Sequence, residues 1–143
     1  RALTADTAIL TAWANDVGYD DVFARQVEAH GRPGDVLLAL STSGRSPNVL
    51  RALETAARLG LRTIGLLGRD GGAAQALVDV ALTVPSADTQ KIQEVHLVAI
   101  HLLCELIEAR VAGAAATEAG TPLARWDSPE RLAVRAARAP RAA

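Results

Sequence analysis

Two rhythms of apolar and polar positions alternate along the chain. Short, nearly unbroken apolar runs at 35–41, 61–67 and 80–84 have the length and aliphatic content of buried strands. Between them the period changes to about 3.6 residues. From Pro47 to Leu59 apolar residues recur at Val49, Leu50, Leu53, Ala56 and Ala57, and Gly60 stops the pattern. Residues 5–15 predict a helix started by Asp6 or Thr7, and Asp20 to His30 a second one with Val22, Phe23 and Val27 on one face. Asn15 to Tyr19 is a turn between them, and Gly31-Arg-Pro-Gly34 punctuates the chain before the first strand. Gly68 to Gly72 predicts a loop, Ala73 to Val78 a short helix, and Thr89 to Val111 a long one. Strands alternating with helices imply an α/β fold, a doubly wound parallel sheet flanked by helices. Ligands of such sheets sit beyond the carboxyl ends of the strands. Ser41 to Ser46 and Pro85-Ser86 both fall at such ends.

After Val111 the pattern dissolves. Ala112 to Pro122 is rich in small residues and reads as a linker. Ser128 to Arg138 predicts either an amphipathic basic helix, with Trp126 as a candidate anchor on the domain, or a largely disordered extension. The expected organisation is a domain over 1–112 and a linker with a basic tail over 113–143.

A length of 143 residues suits one domain, and 50% apolar content is enough for a buried core. A net charge of −1, with acidic and basic residues evenly mixed, offers no basic stripe for nucleic acid. No run approaches the ~20 apolar residues of a membrane span, and no charged-then-apolar leader opens the sequence. The single cysteine, Cys104, excludes an internal disulfide and agrees with a reducing cytoplasm. Its apolar helical surroundings predict a small buried side chain rather than a nucleophile. The chain has no methionine and begins Arg1-Ala2-Leu3, from which a fragment of a longer polypeptide is expected.

The turn Ser41-Thr42-Ser43-Gly44-Arg45-Ser46 carries the strongest chemical signal. It joins a strand to a helix, with Ser46 as expected N-cap and Pro47 at the first helical position. Hydroxyls and the helix N-terminus together favour an anion, a phosphate above all. An ordinary capped strand-turn-helix is the plainer alternative. On the long helix, Gln93 and His101 stand eight residues apart, about 80° around the axis. His101 suits proton transfer or metal ligation, or a semi-buried structural place. His96, beside the stripe Ile92, Val95, Ala99 and Leu102, is expected to be structural or interfacial. Asn15-Asp16 allows either turn chemistry or contacts to sugar hydroxyls. Asp20-Asp21 reads as charge for the following helix, His30 as a solvent-facing helix end, and Asp70-Gly71-Gly72 as a turn.

These residues together resemble a family. Asn15-Asp16-x-Gly-Tyr, Phe23-Ala-Arg-Gln-Val, Gly34-Asp-Val-Leu-Leu-Ala-Leu-Ser-Thr-Ser-Gly-x-Ser, Gly68-Arg-Asp-Gly-Gly and Ile92-Gln-Glu-Val-His-Leu-x-x-Ile-His101 are similar to the sugar isomerase (SIS) domain family, and within it to the phosphoheptose isomerases. The resemblance spans about Thr4 to Val111. It implies that Ser41, Thr42, Ser43 and Ser46 hold a sugar phosphate and that Asn15 and Asp16 meet the sugar. Gln93 would contact substrate and zinc, and His101 would be a zinc ligand and the catalytic histidine. The implied reaction converts sedoheptulose 7-phosphate to D-glycero-D-manno-heptose 7-phosphate through an enediol, in a cytoplasmic homotetramer. The family's catalytic glutamate and a further zinc-binding histidine belong to an upstream helix with no counterpart in this sequence, so these residues alone are expected to be poorly assembled and inactive. A non-catalytic sugar-phosphate sensor, a scaffold binding a replication initiator, and an isomerase of another sugar phosphate are the competing expectations. The pair Gln93 and His101 favours the phosphoheptose isomerase, since a pure scaffold has no chemical need for it.

Overall fold

The parallel sheet expected from the apolar runs is present in the computed structural model, which describes residues 1–115. The tail expected beyond, with Trp126 and the helix at Ser128 to Arg138, lies outside the described residues. Helix α1 (Thr7–Asp16) opens on Asp6, whose Oδ1 accepts the Ile9 amide at 3.2 Å. A 3-10 turn (Tyr19–Asp21) leads into α2 (Val22–His30), so this helix starts two residues later than its apolar face suggests. Asp21 takes the N-cap position of α2 without a side-chain bond. It pairs with Arg51 on α3 (Pro47–Arg58), as does Asp20 at 3.7 Å, so the two acids at this helix start also tie it to α3.

Strands β1 (Val36–Ser41), β2 (Arg62–Gly68) and β3 (Val80–Val84) lie in that order and run parallel, with Leu38 opposite Ile64 and Ile64 opposite Val80. A 3-10 turn (Ala73–Ala76) stands where the sequence predicts a short helix. Alternation along each strand sends Ala39, Leu67 and Ala81 to one face, where they close over Leu53 of α3 with Ala74 and Val78. Leu53 is fully buried, a position that contributes about 1.5–3 kcal/mol by removal from water. A second cluster, Val27, Ala52, Ala56 and Leu61, fastens α2 to α3. On the opposite face Val36, Leu38, Leu40 and Val80 are exposed, while Leu66 of the central strand is buried.

Helix α4 (Thr89–Ala115) runs four residues past its predicted end, taking in part of the expected linker. Alanine at 112, 114 and 115 explains the extension, being the best helix former. Only its first turns meet the sheet: Ile92 and His96 are buried, whereas Leu97, Val98, Leu106, Ile107 and Val111 are exposed. Cys104 is exposed as well, against expectation, because no described element covers that part of the helix. No helix among the described residues is long and apolar enough to cross a membrane.

Candidate functional site

Strand β1 ends at Ser41, whose buried hydroxyl closes the turn that follows. Its Oγ accepts the Gly44 amide at 3.0 Å and lies 3.4 Å from Ser46 Oγ. Ser43 Oγ accepts the Arg45 amide at 3.2 Å. Ser46 occupies the N-cap of α3, with Pro47 behind it, yet its side chain makes no capping bond. The Val49 amide goes instead to the Ser46 carbonyl and to Asn48 Oδ1. The Ser46 hydroxyl therefore turns towards Ser41, and a hydroxyl-lined turn sits on the N-terminal end of a helix, where the dipole favours an anion.

The turn is shaped by the loop after β2. Gly44 adopts φ 62°, and a Cβ there would fall 1.8 Å from the carbonyl oxygen of Gly71. The Gly44 carbonyl accepts the Ala74 amide at 3.0 Å. Gly68 is equally crowded: a Cβ would stand 2.4 Å from the Thr42 carbonyl oxygen and 2.6 Å from Ile92 Cδ1. Glycine at this strand end lets α4 and the serine turn approach the same point. Arg69 takes a left-handed conformation (φ 60°) in between.

An exposed ion pair spans the two loops. Arg45 Nη1 donates to Asp70 Oδ1 at 2.9 Å and Nη2 to Oδ2 at 2.7 Å, while Nη1 also donates to the Ser43 carbonyl at 3.0 Å. Asp70 Oδ1 accepts the Gly72 amide at 3.1 Å. The Arg45 guanidinium, helped by that amide, holds the Asp70 carboxyl down at about 2, and Asp70 in turn raises the pKa of Arg45. Sequence reasoning reads Asp70 as a turn residue and gives Arg45 no role; an Arg inside a phosphate-type turn was the available signal.

Helix α4 begins beyond β3, where Asp88 Oδ1 accepts the Gln90 amide at 3.0 Å and Ser86 Oγ accepts the Asp88 amide at 3.1 Å. His96 is the structural residue expected: its buried Nε2 donates to the Leu67 carbonyl at 3.0 Å, which fixes the proton on that nitrogen. Gln93 follows Ile92 and is exposed, as is His101, roughly 12 Å further along the axis. Asn15 and Asp16 end α1, both exposed, with Asn15 Nδ2 donating to Asp16 Oδ1 at 2.8 Å. The structure thus joins Ser41, Thr42, Ser43 and Ser46 in one turn with the start of α4 beside it. No described hydrogen bond links Asn15, Asp16, Gln93 or His101 to that turn. His30 is the exposed helix end expected, 2.9 Å from Arg1 Nη1 through Nε2.

Gln93 and His101 make two donors where a zinc site takes three or four. No group of three or more His, Cys, Asp or Glu able to hold a metal occurs among the described residues. Residues 1–115 by themselves do not complete a zinc site.

Residues 1–68 match the family model of the SIS domain. The chain is 57% identical over 112 residues to the phosphoheptose isomerase of Geotalea daltonii, covering 78% of this chain and 58% of the relative. It is 58% identical over 107 residues to the phosphoheptose isomerase of Helicobacter pylori strain P12, covering 75% and 56%. Among solved structures it is similar to phosphoheptose isomerase GmhA from Neisseria gonorrhoeae, with TM-score 0.74, 49% identity and 75% and 61% of the two chains covered. A phosphoheptose isomerase from Francisella tularensis matches with TM-score 0.72, 44% identity and 74% and 57% covered. The chain spans less than two thirds of the length of these relatives.

Proposed function

We propose that this chain is the sugar-phosphate half of a phosphoheptose isomerase of the SIS-domain family, a reading supported by the match of residues 1–68 to the SIS-domain model and by relatives 57–58% identical to it. The reaction is the interconversion of sedoheptulose 7-phosphate and D-glycero-D-manno-heptose 7-phosphate. In it a proton leaves C1 and returns to C2 while a hydroxyl proton moves from O1 to O2, by way of an enediol. The observation that carries this reading is the Ser41–Ser46 turn: hydroxyl-lined and set at the dipole end of α3, where a phosphate is favoured.

Ser41, Thr42, Ser43 and Ser46 bind the phosphate in this proposal. Asn15 and Asp16 meet sugar hydroxyls, and Gln93 touches the substrate near the reacting carbons. His101 shuttles the proton between the oxygens, a task that suits an imidazole near neutral pH. Zinc, when bound, would polarise the two oxygens as a Lewis acid. Gln93 and His101 supply part of its coordination, and the other ligands, like the carboxylate base, come from outside residues 1–115. The exposed apolar residues of α4, Leu97, Val98, Leu106 and Ile107, support assembly as a homotetramer. The lone cysteine and the metabolite substrate support a cytoplasmic setting.

The test is turnover of sedoheptulose 7-phosphate by the full-length protein, with added zinc and with a chelator. Activity that falls with chelation and vanishes in His101→Ala is the expected result. Binding of the sugar phosphate without turnover would make the protein a sensor and overturn the isomerase reading.

A further inference from the structure

A guanidinium beside a phosphate-type turn is ordinarily a phosphate ligand, because its planar fork matches phosphate oxygens. Arg45 is placed for that role but is not free to take it. Its fork is engaged by both oxygens of Asp70, and the same Nη1 is drawn back onto the Ser43 carbonyl of its own turn. Asp70 is in turn held by the Gly72 amide, directly after the point where Gly71 meets Gly44. The ion pair therefore bridges two loops that already touch backbone to backbone, 25 residues apart in the chain. Its charges cancel at the rim of the turn.

We propose that Arg45 and Asp70 form a latch that sets the anion-binding turn: Arg45 is a positioning residue acting through the Ser43 and Gly44 backbone, and Asp70 keeps its guanidinium off the phosphate. The phosphate is then bound by hydroxyls and amides alone, and its release is not slowed by a direct charge pair. This inference deepens the sugar-phosphate reading of the turn and rests on it.

The opposite reading, Arg45 as a restrained phosphate ligand, predicts the opposite sign when Asp70 is neutralised. The experiment measures the Kd for inorganic phosphate by calorimetry on the full-length protein. It compares wild type, Asp70→Asn, Arg45→Lys, Arg45→Ala and the double variant Arg45→Ala/Asp70→Asn, with melting temperature recorded for each. The latch predicts binding weakened about 3- to 5-fold in every single variant, the range an exposed pair supplies, with the double variant no worse than either single one and melting unchanged. It also predicts that KM for the sugar phosphate rises while kcat holds. Tighter phosphate binding in Asp70→Asn, or a Kd unchanged across the series, overturns the latch even if the wild type is an active isomerase. A wild type that binds no phosphate overturns the reading of the turn and the latch with it. A wild type that binds phosphate without turnover removes the isomerase alone, and the variant Kd values still decide the latch.

Discussion

Gly44 and Gly71 meet backbone to backbone, so closely that a β-carbon on Gly44 would lie inside the carbonyl oxygen of Gly71. The serine turn and the loop after β2 are consequently one rigid unit, and neither can be remodelled alone. Gly44→Ala is expected to lose sugar-phosphate binding altogether. Its left-handed φ costs about 1–2 kcal/mol for any L side chain, and the backbone clash adds to that. Thermal unfolding should show a drop of several degrees, about 2–4 °C per kcal/mol for a domain of roughly 150 residues.

The two histidines of α4 should separate stability from chemistry. His96→Ala removes a buried hydrogen bond to the Leu67 carbonyl, which costs about 0.5–1.5 kcal/mol and should appear as a lower urea midpoint. His101→Ala, at an exposed position, should shift that midpoint by less than about 0.5 kcal/mol while abolishing turnover. Equal effects of the two substitutions on stability would contradict the placement of the side chains.

Core truncation offers a check on the fold itself. Leu53 of α3 sits in one buried cluster with Ala39, Leu67 and Ala81, one residue from each described strand. Leu53→Ala should destabilise by about 2–5 kcal/mol, read from denaturant unfolding with an unchanged slope.

The pH dependence of the loop pair has a definite sign. Asp70 is held at about 2 in the folded protein against an ordinary 3.8. The pair is therefore fully formed above about pH 4 and is lost as pH falls through 2. Hydrogen exchange at the Arg45 and Gly72 amides should be steady from neutral pH to about 4, once corrected for intrinsic rates, and accelerate only below. Loss of protection near pH 6 would show that the pair does not form.

Much of this was legible in the sequence, for reasons that differ from element to element. The three strands announced themselves because each is a short aliphatic run closed by glycine or a turn, although one face of the sheet is exposed, and the serine turn because hydroxyls, glycine and proline stand in fixed order there. His96 could be read as structural or interfacial because it lies beside an apolar helical stripe. Cys104 could not: periodicity says which way a residue faces on a helix, not whether anything covers it. The Arg45–Asp70 pair was illegible for a related cause. A contact between loops 25 residues apart is set by the register of β1 on β2, and no local pattern encodes that register. Ser46 shows a third limit, since propensity located the cap position but the hydroxyl follows its neighbour Ser41.

Self-association can be read on α4. Val98→Glu and Ile107→Glu place charge on exposed apolar positions and should shift the sedimentation profile of the full-length protein towards smaller species, with secondary structure unchanged. An unaltered profile in both would remove this face from any assembly.

Strand β1 has a neighbour on one side only among the described strands, and Val36, Leu38 and Leu40 stand uncovered on the bare face beside that free edge. An open row of amides and carbonyls next to aliphatic side chains is a template for further strands. Residues 36–40 thus mark where cross-β growth would begin if concentrated protein were stored with this margin unshielded, so a single Lys on the bare face, as in Leu38→Lys, should lengthen the lag before thioflavin-positive material appears.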